Sequence, residues 1–239
     1  MSLTISGEGN ADNLPKLAKG TYLGTCFRIV DLGTSDQEYK GEVNKKTRVH
    51  ISFEITKAID PDNNEVNMED GRPFAVSKTY TASLYKQATL FKDLENWRNK
   101  SFTDEELKGF DIVNLLGCTA RIEVGHTEPS GDFPGGNPKI QRLSSPDGGI
   151  VKVETINKME AFDLSVYCEE WRGNHSEATK AMCDIFENLP TWQQEDIEKS
   201  YELRAAKESE PETTKDEGSD SLSNLADNKE DKSEPDIPF

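Results

Sequence analysis

The chain has 239 residues, a net charge of −17 and 33% hydrophobic residues. This length allows one large domain or two small ones, and the low hydrophobic content indicates that part of the chain does not fold. The negative charge argues against a nucleic-acid partner unless basic residues share one face. No apolar stretch is long enough to span a membrane, and the polar N-terminus does not resemble a signal peptide. We therefore expect a cytoplasmic protein without membrane partners.

Cysteine and histidine spacing gives no indication of a metal site. The four cysteines form no CxxC pair, and the three histidines have no ligand spacing relative to them. We expect reduced, mostly buried thiols, as in cytosolic proteins, and neither a metal nor a cofactor. The cysteines are Cys26, Cys118, Cys168 and Cys183.

Residues 1–17 predict a flexible leader, and the first two strands follow it. In KGTYLGTCFRIVDLG, alternation places Leu23, Thr25, Phe27 and Ile29 on one face. A polar loop, TSDQEYKGEVNKK, is predicted next. RVHISFEITKAI then alternates clearly, which is typical of a half-buried antiparallel strand. Its inward residues are Val49, Ile51, Phe53 and Ile55, and its outward residues are Arg48, His50, Ser52 and Glu54.

The remaining elements up to residue 146 complete a recognisable order. RPFAVSKTYTAS predicts a third strand, and apolar spacing after Ser83, an expected N-cap, predicts a helix. Thr103 and Glu106 form a capping-box motif for a shorter helix. CTARIEVGHT and KIQRL predict strands four and five. Three strands, a helix and two strands form the order of an OB-fold, a five-stranded Greek-key barrel, here over residues 18–146. Another small barrel or an α+β sheet is the alternative.

Residues 147–206 predict a helical extension. It begins with one more strand or an extended strap, and HSEATKAMCDIFENLP is an amphipathic helix. A further helix is predicted from Thr191, with Gln194 completing a capping box. We interpret Trp97, Trp171 and Trp192 as packing residues. Residues 207–239 carry 11 acidic and 4 basic side chains and almost nothing apolar, which predicts a disordered acidic tail.

The last four residues, Asp236, Ile237, Pro238 and Phe239, differ from the tail before them. Exposed Ile237 and Phe239 gain nothing unless a pocket receives them, so the tip has the properties of a peptide ligand for a basic-rimmed pocket. The alternative is an acidic tail that only promotes solubility.

Two parts of the chain resemble known protein families. SEPDIPF resembles the C-terminal tip of bacterial single-stranded DNA-binding proteins, although Lys229, Lys232 and Pro235 interrupt the acidic run. Residues 18–145, in AKGTYLGTCFRIVDLGT, SKTYTASLYKQATLFKDLENWRNKSF and FDIVNLLGCTARIEVGH, are similar to small phage single-stranded DNA-binding proteins. Both resemblances imply an OB-fold that coats single strands without sequence preference in a bacterial or phage-infected cell. They also imply a tail that recruits replication and repair proteins.

Candidate DNA-binding residues follow from the expected OB-fold surface, which combines strands two and three with the connections between strands one and two and between strands four and five. Lysines at such positions are also ordinary solvated surface, and Tyr80 could belong to the core. The candidates are Tyr39, Lys40, Lys45, Lys46, Arg48, Arg72, Lys78, Tyr80, Phe133, Lys139 and Arg142.

No motif indicates an enzyme. The sequence lacks GxxxxGK, GxSxG and HExxH, and its carboxylates have no paired context for acid–base chemistry. The alternatives to DNA coating are an interaction protein that targets host replication factors without binding DNA, and a recombination mediator that anneals strands. The sequence does not predict the oligomeric state.

Overall fold

The computed structural model describes residues 16–59, 66–129 and 135–209, and within them the protein is mainly β. The described residues form one six-stranded sheet, five α-helices and a 3-10 helix at Ile112–Leu115. The strands are β1 (Gly20–Tyr39), β2 (Glu42–Ala58), β3 (Ala75–Thr81), β4 (Thr119–His126), β5 (Pro138–Ser144) and β6 (Glu160–Phe162). The helices are α1 (Thr89–Arg98), α2 (Leu164–Cys168), α3 (Glu177–Glu187), α4 (Thr191–Glu198) and α5 (Tyr201–Glu208).

The sheet has the strand order β3-β2-β1-β4-β5, and each of these neighbours is antiparallel. The short β6 adds to β1 in parallel at Arg28, Ile29 and Val30. The two outer strands, β3 and β5, come into contact with each other, although no ladder joins them within the described residues. The sheet is therefore strongly curved, and α1 packs against both β3 and β5.

Three irregularities interrupt the pairing of β1 with β2, between Leu23 and Gly24, Cys26 and Arg28, and Asp31 and Gly33. A bulge sets an extra residue against one partner and so reverses which side chains face the core. The alternation predicted for β1 is accordingly wrong beyond Cys26: it placed Ile29 on the face of Leu23, but Ile29 is buried in the first core cluster with Tyr22 and Cys26, whereas Leu23 is only half-buried.

The first core cluster lies between the curved sheet and α1. The predicted inward residues of β2, Val49, Ile51, Phe53 and Ile55, are all buried in it, which confirms that alternation. Trp97 of α1 is fully buried against Phe53, with ring centroids 5.2 Å apart, and its Nε1 donates to the Thr119 carbonyl at 2.7 Å. An indole that fills the core and satisfies its N–H fixes the position of α1.

The polar loop expected between the first two strands is instead a β-hairpin arm, residues 34–47. The paired residues of the arm run from Thr34 opposite Thr47 to Tyr39 opposite Glu42. Lys40 and Gly41 form the turn, with φ of 54° and 81°, and two positive φ values are typical of the tight turn that suits strand twist. The polar sequence concealed the arm because a strand without a core-facing side shows no hydrophobic alternation.

Helix starts differ from the predicted positions. α1 begins at Thr89 with Ala88 as N-cap, and Ser83 instead accepts a hydrogen bond from the Tyr85 amide at 3.2 Å. Thr103 and Glu106 do exchange the two hydrogen bonds of a capping box, at 2.9 and 3.2 Å, but only a turn follows them. The motif thus forms without its helix, and Glu106 also pairs with Arg98 of α1.

A second core cluster joins the C-terminal elements to β1. Val30 and Leu32 of β1 are fully buried against residues from β6 to α5, which include Phe162, Leu164, Ile197 and Leu203. β1 therefore contributes to both cores. All four cysteines lie in the described part of the chain as free thiols, and burial raises the pKa of the Cys168 thiol to about 11.

The predicted helix after Thr191 is two helices, α4 and α5, with Ser200 as the N-cap of the second. The capping box of Thr191 and Gln194 is wrong, because Pro190 is the N-cap of α4 and no side chain caps it. The Gln194 amide instead donates to the Phe186 and Leu189 carbonyls at the end of α3, at 2.9 and 3.1 Å. The amphipathic α3 is confirmed. Among residues 16–59, 66–129 and 135–209, no helix has the length and apolar composition needed to cross a bilayer.

Candidate nucleic-acid interface

The outer faces of β2 and β3 lie side by side but differ in exposure. The predicted outward residues His50, Ser52 and Glu54 of β2 are buried, so their expected exposure is wrong. The adjoining row on β3 is exposed and carries small hydroxyl groups. We call these residues, Ser77, Thr79 and Thr81, the hydroxyl row. The C-terminal segment, which follows β5, causes the burial of β2.

Glu54 anchors this covering segment. The residue is 3% exposed, and its carboxylate accepts hydrogen bonds from the amides of Ile156 and Asn157 at 3.0 and 2.7 Å. The Asn157 side-chain amide adds a third hydrogen bond at 2.6 Å. A buried carboxylate needs such donors to offset its lost hydration. Glu54 therefore has a structural role and is not available to a ligand.

His50 lies at the boundary between the covered and exposed faces. Its Nδ1 is 2.8 Å from Thr79 Oγ1, and its ring meets the Trp192 ring at 75° with centroids 5.0 Å apart. Burial, with a smaller contribution from the Arg28 charge, lowers the pKa of His50 to about 4. His50 is thus neutral at physiological pH and adds no positive charge to this face.

Arg48 is also held by the C-terminal elements. Its guanidinium pairs with Asp196 of α4 at 3.0 Å and donates to Ser35 Oγ at 3.2 Å. Only 16% of its side chain is exposed. Arg48 therefore links the β-hairpin arm to α4, and most of its charge is already compensated.

Lys78 and Tyr80 point toward α1 and the core. The Lys78 ammonium and the Tyr80 hydroxyl both donate to Asp93 Oδ2, at 2.7 and 2.9 Å. Tyr80 is 3% exposed, and burial together with the Asp93 charge raises the pKa of its hydroxyl. The structure thus does not bring these two candidates to the surface, and the alternative that Tyr80 is a core residue is confirmed.

The β-hairpin arm carries the next candidates. Lys45 is exposed, and its ammonium lies 3.9 Å from the centre of the Tyr201 ring of α5. Lys46 is half-buried opposite Ser35, and Lys40 is exposed at the turn. Tyr39 ends β1 next to that turn. The arm therefore brings three candidate lysines onto one projecting element.

The candidates on β5 and in the turns lie elsewhere on the surface. Lys139 and Arg142 are exposed, and Arg142 lines a polar cleft of about 380 Å3 together with Arg121, Thr21 and Ser144. Arg72 is exposed in the turn before β3 and pairs with Asp70 at 2.7 Å. Phe133 and the tip residues Asp236, Ile237, Pro238 and Phe239 lie outside the described residues.

Sequence reasoning missed two exposed aromatic residues near β3. Trp192 is 45% exposed in the first turn of α4, and Tyr85, in the connection after β3, is 67% exposed. The packing role is confirmed for Trp97 and for the half-buried Trp171, but it is wrong for Trp192. Helical geometry offers the signal: Ile197 is the buried apolar anchor of α4, and Trp192, five residues earlier, lies off its stripe.

An apolar cleft of about 410 Å3 lies between the first core and β6. Leu84, Leu90 and Phe110 contribute to its wall, together with three carboxylates, Asp31, Asp111 and Asp163. Burial raises the pKa of Asp31. The carboxylates make this cleft unsuitable for the acidic tail of the same chain, because like charges repel each other at short range.

No protein-family model matches the chain, and no curated protein has significant sequence similarity to it.

Proposed function

We propose that the protein binds single-stranded DNA without sequence preference through an OB-fold, and that its C-terminal tip recruits replication or repair proteins. The connectivity of the sheet carries this proposal. An OB-fold is a partly open five-stranded Greek-key barrel. The order β3-β2-β1-β4-β5, with β3 and β5 in contact and α1 between β3 and β4, is the order expected of such a barrel opened between its third and fifth strands.

The location of the candidate side chains adds support. An OB-fold binds nucleic acid on the outer face of strands two and three and on the connections beside it. In this chain the hydroxyl row provides an exposed polar surface, and the β-hairpin arm carries Lys45 and Lys46 next to it. Phosphate contacts need such cations, while the hydroxyl groups are suitable hydrogen-bond donors.

Because the overall charge is −17, binding to DNA must depend on a local group of cations, and the salt dependence of binding tests this directly. We expect a labelled single-stranded oligonucleotide to bind the full chain, with an affinity that falls as salt rises from about 50 to about 200 mM. K45A/K46A should weaken binding and reduce the slope of log affinity against log salt by about 1.4, the value for two lost phosphate contacts on a single strand.

K108A/K180A is the matched control, since both lysines are exposed but lie away from the arm in sequence, Lys108 in the turn after Thr103 and Lys180 on α3. It should leave the affinity and the slope unchanged. Failure of the full chain to bind at about 50 mM salt would overturn the proposal and favour an interaction protein that does not bind DNA.

The acidic tail provides a second test of the same function. Residues 210–239 form a tethered polyanion that we expect to compete with DNA for the basic positions at high effective concentration. A chain ending at residue 209 should therefore bind the oligonucleotide more tightly than the full chain, most clearly at low salt. Equal affinities would exclude competition by the tail.

A further inference from the structure

Trp192 is a large aromatic side chain that the fold holds at the surface. It is 45% exposed, whereas Trp97 is fully buried and Trp171 packs against Tyr167 with ring centroids 4.9 Å apart. Exposed indole surface contributes nothing to folding, because the hydrophobic gain requires removal from water. A tryptophan retained in this state has the surface needed to bind a flat apolar partner.

The position of Trp192 is fixed by the rest of α4. Ile197 is buried in the second core, Gln193 is also buried, and Asp196 pairs with Arg48 of β2 at 3.0 Å. The ring itself rests on His50 at 75°. The side chain is therefore preorganised, and binding to it costs little conformational entropy.

The side chains around Trp192 determine which kind of flat partner can bind there. The indole contacts the His50 ring, and His50 in turn forms a hydrogen bond with Thr79 of the hydroxyl row, so Trp192 lies beside that row. Thr81, at the end of that row, lies directly opposite Arg48, and Lys46 follows on the β-hairpin arm. A base and its sugar–phosphate backbone require contacts in this order: an aromatic ring for the base, then hydroxyl groups, then cations for the phosphates.

We propose that Trp192 is a stacking platform for one base of single-stranded DNA, so that the C-terminal helices contribute to the binding surface of the sheet. This inference rests on the proposed function. The covered face of β2 and the open hydroxyl row of β3 then act together: the first supports the indole, and the second receives the strand that continues from the stacked base.

The test uses the full chain and an oligothymidine of about 15 nucleotides, a length within the site sizes of OB-folds. W192A should weaken binding about 5- to 150-fold, the range for loss of one stacked base. The factor should be the same at low and high salt, because stacking releases no counterions. W192F should restore most of the affinity, since a phenyl ring also stacks.

Tryptophan emission gives an independent readout. Binding should quench the fluorescence of the wild type and of W171F, whereas W192F should bind without quenching. Thermal melts of each variant establish that it is folded, and W192F keeps the test decisive if W192A melts early. Wild-type binding with no quenching and with unchanged affinity in W192A and W192F would overturn the role of Trp192 while leaving the function intact. Absence of wild-type binding would overturn both.

Discussion

Glu54 illustrates how one side chain can secure a distant segment. It lies on β2, yet its hydrogen bonds reach Ile156 and Asn157, more than a hundred residues later. Both carboxylate oxygens are used, one of them twice. The charge of Glu54 is therefore stabilised by hydrogen-bond donors that only the folded chain brings together. Replacing either carboxylate oxygen should leave one of these buried donors without an acceptor, which lowers the stability of the fold.

Glu54→Gln should lower the free energy of unfolding by about 2 kcal/mol. The amide group would replace one accepting oxygen with an NH2 group, which would face an N–H donor and could not accept its hydrogen bond. Urea unfolding measures the change. Glu123→Gln on β4 is the matched control, since that residue is exposed, and it should change stability by less than about 0.5 kcal/mol. Equal effects of the two substitutions would contradict the structural role of Glu54.

His50 should make stability depend on acid pH. Its pKa falls from 6.5 to about 4 on folding because the ring is buried. Between these values the unfolded chain binds a proton that the folded chain does not, so the free energy of unfolding decreases as pH falls through this window. The contribution of His50 is at most about 3 kcal/mol.

Unfolding free energies of the wild type and of His50→Gln, measured from pH about 7 to about 4, isolate this contribution from that of the carboxylates. The wild type should lose stability more steeply than the variant as pH falls. Parallel pH profiles would indicate that His50 is not buried in the neutral form.

At the scale of elements, the β-hairpin arm depends on its turn. Gly41 has a φ of 81°, and a Cβ added there would meet no neighbouring atom within 4 Å. The cost of replacing it is therefore conformational and not steric. Gly41→Ala should destabilise the arm by about 1 kcal/mol, the typical cost of a left-handed backbone for an L-residue.

Amide hydrogen exchange of residues 34–47 measures this effect directly, and protection there should fall about fivefold, in proportion to an opening free energy lowered by about 1 kcal/mol. Gly109→Ala is the matched control, because Gly109 also has open space around it but no positive φ. Unchanged protection of the arm in Gly41→Ala would show that the turn does not limit its opening.

The same elements show what the sequence could predict. The alternation of Val49, Ile51, Phe53 and Ile55 on β2 identified their core face correctly because the extra residue of the irregularity opposite this stretch lies on β1 and not on β2. β1 was misassigned because its bulges depend on pairing with β2, which no local pattern encodes. The contact between His50 and Trp192 could not be predicted, since it joins residues that are remote in sequence.

For the whole molecule, local sequence patterns predicted the succession along the chain of the first five strands and of the helix between β3 and β4. The candidate site was predicted only in part. Lys45, Lys139 and Arg142 are exposed as expected, but Arg48, Lys78 and Tyr80 are engaged in the fold. Both causes are long-range packing: Lys78 and Tyr80 face α1 and bond to Asp93, whereas Arg48 is held by Asp196 of α4. Sequence patterns assigned the elements after residue 147 to an extension and gave no indication that it would cover the outer face of β2.

The contribution of β1 to both cores limits how the chain can be shortened. A fragment ending near residue 146 would leave Val30 and Leu32 facing water, although both are fully buried in the complete chain. Exposing two such side chains costs several kcal/mol, a large part of the stability of an ordinary domain. The smallest version of this protein worth expressing therefore ends after α5, even though the fifth strand of the sheet ends more than sixty residues earlier.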